Sequence, residues 1–205
     1  MASSIPSGTV AAVLLAIALV GSAVALGGVA ALDQHGGTDG DADAQRSAVF
    51  RVAHASPDAP AVDVLVDGET VLSDVAFGDV SDYRSLEAGT HNLTIAAADD
   101  PDTVVFDEAV SFEPRTVTTI AASGEIGEDA ETSFEPVAFE NDAYTPAANE
   151  SALSVVHLSP DAPAVDVTAA DGTVVLADNV SFRNGSDYVT VPPGDYTAEI
   201  RPATE

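Results

Sequence analysis

One stretch of eleven residues occurs twice. HASPDAPAVDV begins at His54 and HLSPDAPAVDV at His157, 103 positions apart and different at a single residue. A fold that carries this stretch has to be buildable in tandem, each unit needing a His, a Ser, two Asp and two Pro in fixed order. At the end of the first stretch and just beyond it, Val62, Val64 and Val66 alternate with Asp63, Leu65 and Asp67, the period of a strand with one buried side. Upstream of it Phe50, Val52 and His54 share one side of a strand, as do Leu153, Val155 and His157. Each His is therefore expected to close an apolar face.

The rest of the chain beyond residue 47 repeats the pattern of short alternating runs between turn residues, which predicts an all-β sandwich or barrel. Asp67-Gly68 suits a tight hairpin turn, and residues 70–72, 93–95, 116–120 and 134–139 supply further strand segments. The duplication also continues past its first motif. Asp67-Gly68 recurs as Asp171-Gly172, Phe77 as Phe182, Ser81-Asp82-Tyr83 as Ser186-Asp187-Tyr188, and residues 87–91 as 192–196. Copy one thus covers 48–141 and copy two 151–205, joined by a linker at 142–150. Copy two has no counterpart of the apolar stretches at 103–112, 115–122 and 133–139, so about three strands are missing. We expect copy two to be truncated, or to be completed by copy one or another chain, because an uncovered sheet edge invites pairing.

Residues 1–32 are a separate object. The run 9–32 has no charge and, as a helix, reaches about 36 Å, enough to cross a hydrocarbon core. It lacks the basic start of a signal peptide and exceeds its usual apolar length, so an uncleaved N-terminal membrane anchor is favoured over a removed signal. Residues 33–47 are an acidic Gly/Asp linker; its DGDAD has Ala44 and Phe50 where a calcium loop needs Gly and Glu. The chain beyond the anchor is expected outside the cell, membrane-anchored or secreted.

Charge narrows the partners. The chain has 34 acidic residues, six Arg and no Lys, giving a net charge of −28. Such self-repulsion is screened at molar salt, where the Debye length is about 3 Å, and a salt-loving source is the simplest reading. Nucleic acid is excluded as a partner, because nothing here displaces counterions from a polyanion. The absence of cysteine excludes disulfides, thiolate metal sites and thiol nucleophiles. Four of the five Asn lie in N-x-S/T sequons, at Asn92, Asn149, Asn179 and Asn184, consistent with an exported glycoprotein.

The repeated motif holds the residue types of a hydrolase triad in His54, Ser56, Asp58 and Asp63. It lacks a nucleophile elbow or an oxyanion-hole glycine loop. A buried imidazole needs hydrogen-bond partners, and Asp58, Asp63 or a loop carbonyl would serve. Pro57 and Pro60 stiffen the turn. The favoured reading is a structural loop lock made by His54, Ser56, Pro57, Asp58, Pro60 and Asp63, and again by His157, Ser159, Pro160, Asp161, Pro163 and Asp166, with no catalytic residue and no cofactor assigned. Calcium is the alternative occupant, through Asp58, Asp63 and Asp67 or Asp161, Asp166 and Asp171.

The H-x-S-P-D-A-P-A-V-D-V stretch, the D-G hairpin, S-D-Y, and then A-G-T-H or P-G-D-Y resemble domain-of-unknown-function family 4397. The resemblance spans most of 48–205. It implies domains of exported bacterial and archaeal proteins, often in tandem, with an immunoglobulin-like or related β-sandwich and no known reaction. Tyr196 fits a tyrosine corner, bonding back to the chain, whereas copy one has His91 there. The expected fold is therefore all-β, with tandem immunoglobulin-like β-sandwich domains after one N-terminal hydrophobic helix. The expected function is a non-enzymatic surface module, structural or adhesive, with a cell-surface glycan or protein ligand. A carbohydrate- or calcium-binding domain is the alternative, and a hydrolase comes last.

Overall fold

The computed structural model describes residues 46–127, 129–141, 147–170 and 172–203. The hydrophobic segment 9–32, most of the linker at 33–47 and Asp171 lie outside the described residues. The described residues are all-β, with no helix. Copy one contains β1 (Ser47–Ala55), β2 (Val62–Val66), β3 (Glu69–Val75), β4 (Arg84–Glu87), β5 (Gly89–Ala97), β6 (Asp100–Phe112), β7 (Val117–Ser123) and β8 (Glu135–Glu140). They form two four-stranded sheets, ordered β4-β1-β7-β8 and β3-β2-β5-β6. β1 and β7 run parallel, and the other pairs are antiparallel.

The alternation read from the sequence positions the core. Phe50 and Val52 from β1 and Ile120 from β7 meet Val62, Val64, Leu93 and Ile95 from the opposite sheet in one buried cluster. Phe112 closes it by packing on Phe50, ring centroids 5.5 Å apart. The β2–β3 turn is the two-residue kind expected: Asp67 and Gly68 have φ of +51° and +81°, both in the left-handed region that such a turn requires.

Copy two takes the same path with fewer strands. It contains β9 (Ser151–Leu153), β10 (Val156–His157), β11 (Val165–Ala169), β12 (Val174–Val180), β13 (Asn184–Gly185), β14 (Val189–Val191) and β15 (Ala198–Pro202). β9 and β10 together replace β1, pairing with β14 and β13 respectively, and β12-β11-β15 replaces β3-β2-β5. Among the described residues nothing corresponds to β6, β7 and β8, the three strands whose apolar stretches the second repeat lacks. A smaller core still forms, from Leu153, Val155, Val165, Val167, Leu176 and Val180.

One side chain ties the copies together. Arg183 occupies the position that Gly78 holds in copy one, and both keep positive φ, +62° and +89°. Its guanidinium reaches the β7–β8 end of copy one, donating to Ser123 Oγ at 3.1 Å, the Ser123 carbonyl at 3.2 Å, the Ser133 carbonyl at 2.6 Å and Glu135 at 2.9 Å. The left-handed backbone costs an arginine about 1 kcal/mol or more, which four bonds of this kind offset. Beside it, Gly185 lies next to the Phe139 ring of β8, where an added Cβ would sit 3.7 Å from the ring.

Candidate functional site

Each copy of the repeated loop is organised around one imidazole. β1 carries His54 into the core, where it is 2% exposed; β10 does the same for His157, 3% exposed. His54 Nε2 lies 2.9 Å from the Pro60 carbonyl, and the Ser56 amide donates to Nδ1 at 3.3 Å. In copy two the same bonds join His157 to Pro163 at 3.0 Å and to Ser159 at 3.2 Å. A carbonyl only accepts and an amide only donates, so these partners select the neutral Nε2–H imidazole. Phe77 and Phe182 close over the rings edge-on, at 6.2 and 6.3 Å. The loop between the two bonded backbone groups carries Pro57 and Pro60, or Pro160 and Pro163, whose fixed φ lowers the entropy lost on ordering it.

The two aspartates of the motif have separate tasks. Asp63 Oδ1 accepts the Asp74 amide at 2.8 Å, and Asp166 Oδ1 accepts the Asn179 amide at 2.8 Å. Asp74 and Asn179 have φ of +56° and +51°, and both sit where the strand register slips by one residue. The motif's last Asp therefore clamps a β-bulge in the neighbouring strand. Asp58 reaches further, accepting the Ile126 amide at 3.0 Å and the Gly127 amide at 2.9 Å in the β7–β8 connection. Asp161, its counterpart, is exposed, and the described part of copy two has no such connection to hold.

Two further pairs of contacts repeat. Ser81 Oγ accepts the Val52 amide at 3.0 Å and donates to the Asp82 carbonyl at 2.9 Å, and Ser186 does the same with Val155 and Asp187. Tyr196 OH donates to the Pro192 carbonyl at 2.8 Å, four residues back, and His91 Nε2 meets the Glu87 carbonyl at 2.8 Å over the same interval. His and Tyr are thus equivalent here, although they differ chemically. His91 has a second partner, with Nδ1 2.6 Å from Asp67 Oδ2. That bond holds the Asp67 carboxyl below its ordinary range and raises the His91 imidazole above its own.

This geometry does not assemble a triad. The imidazole nitrogens face the backbone, and Ser56 Oγ turns to Asp58 over a long 3.4 Å. Asp58, Asp63 and Asp67 each serve a different partner, and no cluster of three or more His, Cys, Asp or Glu that could hold a metal occurs among the described residues. The four sequon asparagines are all exposed. Asn92 is already engaged, donating to Asp107 at 2.6 Å.

A family model described as a domain of unknown function, DUF4397, matches residues 48–168 and again 153–205. The chain belongs to the DUF4397 family. The first match takes in both HxSPDAPAVDV stretches, running past β8 into β11, and the second takes in the later one again. The second is partial and begins at the end of β9, so the family pattern itself registers two copies with the second incomplete. No curated protein matches the chain.

Sequence reasoning named the lock residues and offered Asp58, Asp63 or a loop carbonyl as the imidazole's partner; the structure selects the carbonyl, that of Pro60, and gives Asp63 and Asp58 backbone amides instead. The bulge clamp left one usable trace, an Asp and an Asn, the non-glycine residues most tolerant of positive φ, at corresponding sites of the two copies. The Asp58 contact spans 68 residues and left none.

Proposed function

We propose that this DUF4397 chain is a non-enzymatic surface module of a salt-loving cell, structural or adhesive. In this reading residues 9–32 anchor it in the membrane and the two copies are displayed outside as immunoglobulin-like sandwiches. The observation that carries it is the saturation of the motif: in both copies the imidazole and the clamp aspartate bond to the chain's own backbone. Side chains spent this way fix a corner of the fold. The Tyr196 bond in the turn just before β15 supports the immunoglobulin-like assignment. Exposure of all four sequon asparagines supports glycan attachment, and an acidic surface without Lys supports a saline milieu.

His54→Gln and His157→Gln in the full chain test the reading. Glutamine has a donor and an acceptor but carries both on Cδ, one bond beyond the ring atom that bears Nδ1, so it cannot reproduce both contacts at the imidazole's spacing, and each variant is expected to lose about 2 kcal/mol in denaturant titrations at molar salt. Unchanged stability would remove the structural role. Calcium titration and a glycan array on the same protein examine the alternative. Saturable binding abolished by Asp58→Asn with the fold intact would make the motif a ligand site instead.

A further inference from the structure

We propose that Asp58 is the positioning residue for the Arg183 contact, so that the repeated loop of copy one controls the docking of copy two. Its carboxylate accepts the Ile126 amide at 3.0 Å and the Gly127 amide at 2.9 Å. Those amides adjoin Glu125, which holds the returning arm of the β7–β8 connection: its amide donates to the Thr132 carbonyl and its carbonyl accepts the Phe134 amide, both at 2.8 Å. Ser133 lies between the two bonded residues, opposite Glu125, and ladder alternation turns its carbonyl away from that arm. This carbonyl takes the shortest of the four Arg183 bonds, 2.6 Å from Nη2. Gly124, at φ +88°, leaves the space in which they meet. An added Cβ there would collide with the Ser133 carbonyl and sit 2.6 Å from Arg183 Nη2.

On its other side the line of bonds runs into the second repeat. Arg183 donates its backbone amide to the His157 carbonyl at 2.8 Å and lays its guanidinium over Phe182, 4.8 Å from the centroid of the ring that closes on His157. Copy one makes the same backbone contact, from Gly78 to the His54 carbonyl at 2.9 Å, but has no side chain to carry it onward. The two HxSPDAPAVDV loops therefore stand at the ends of one sequence of contacts, from Asp58 through the β7–β8 connection and Arg183 to His157. Both ends bias a single element with two positions, copy two docked and copy two released. With Asp58 in place the Ser133 carbonyl is set before Arg183 reaches it, and little ordering is left to oppose docking. Without Asp58, docking has to order the connection as well.

Calorimetry of the full chain in detergent and molar salt separates this role from a purely local one. The unsubstituted protein is expected to melt in one transition. Asp58→Ala should split off an earlier transition of copy two, as Arg183→Gly does, displaced by at least about half as many degrees. In the Arg183→Gly background the same Asp58→Ala change should move the copy-two transition by less than about 1 °C, because the acceptor that Asp58 prepares is no longer used. Gly124→Ala, which alters neither Asp58 nor Arg183, should produce the split on its own. Asp58→Asn keeps one acceptor oxygen and serves where the alanine variant does not fold; it should give the same split with a smaller displacement. A single transition that Asp58→Ala and Asp58→Asn lower without splitting, or a copy-two shift of equal size with and without Arg183, would overturn the proposal.

Discussion

His91 and Tyr196 show how one backbone contact is met by two chemistries. Both bond to the carbonyl four residues back, but only His91 also pairs with an acid, Asp67. Its imidazole is raised above the ordinary 6.5, first by the Asp67 hydrogen bond. A raised basic group adds stability that is complete below the unfolded value and is lost as pH climbs through the folded one. The lowered Asp67 carboxyl acts in the opposite sense: its contribution is present above the unfolded carboxylate value and disappears on acidification through the folded one. Copy one should therefore weaken as pH rises from below 6.5 through the raised His91 value. His91→Tyr should keep the Glu87 bond and abolish that dependence, which thermal melts across the range will read. At this scale the sequence disclosed the burial of His54 and His157, because alternation is local. It did not disclose Pro60 and Pro163 as their partners, since any carbonyl in the loop satisfied the same requirement.

At the scale of the element, Asp58 and Asp161 form a natural control. The first pins the β7–β8 connection through two amides; the second has no such connection among the described residues. Asp58→Ala should increase hydrogen exchange at Ile126 and Gly127 and cost about 1–2 kcal/mol, whereas Asp161→Ala should leave stability within about 0.5 kcal/mol. Equal effects in a denaturant titration would show that Asp58 acts within its own loop. Elements were readable where their signals were local: Asp67-Gly68 marked its hairpin, and the unmatched apolar stretches of copy one marked β6, β7 and β8. The parallel union of β1 with β7 was not readable. Its register joins residues such as Phe50 and Thr118, and no turn between them records which edge is chosen.

For the molecule as a whole, Arg183 decides whether two copies behave as one body. Arg183→Gly restores the residue type of copy one and relieves the left-handed backbone, but removes all four bonds to β7, β8 and their connection. The bonds outweigh the relief by about 1–2 kcal/mol, so copy two should melt separately and roughly 5–10 °C earlier in calorimetry at molar salt. Coincident transitions in the variant would show that the latch couples nothing. This contact had no signal in the sequence beyond an arginine where the duplicate has glycine. The strand order of copy one also has a mechanical meaning. Glu140, ending β8, pairs with Thr118, which is the neighbour of Phe50 near the start of β1, so chain enters and leaves at one end of the sheet, two strands apart. Tension drawn through those two points does not shear the ladder. It peels β8 away one rung at a time, from the Glu140 end toward Glu135, once the Arg183 grip that holds the following copy to this sheet has let go.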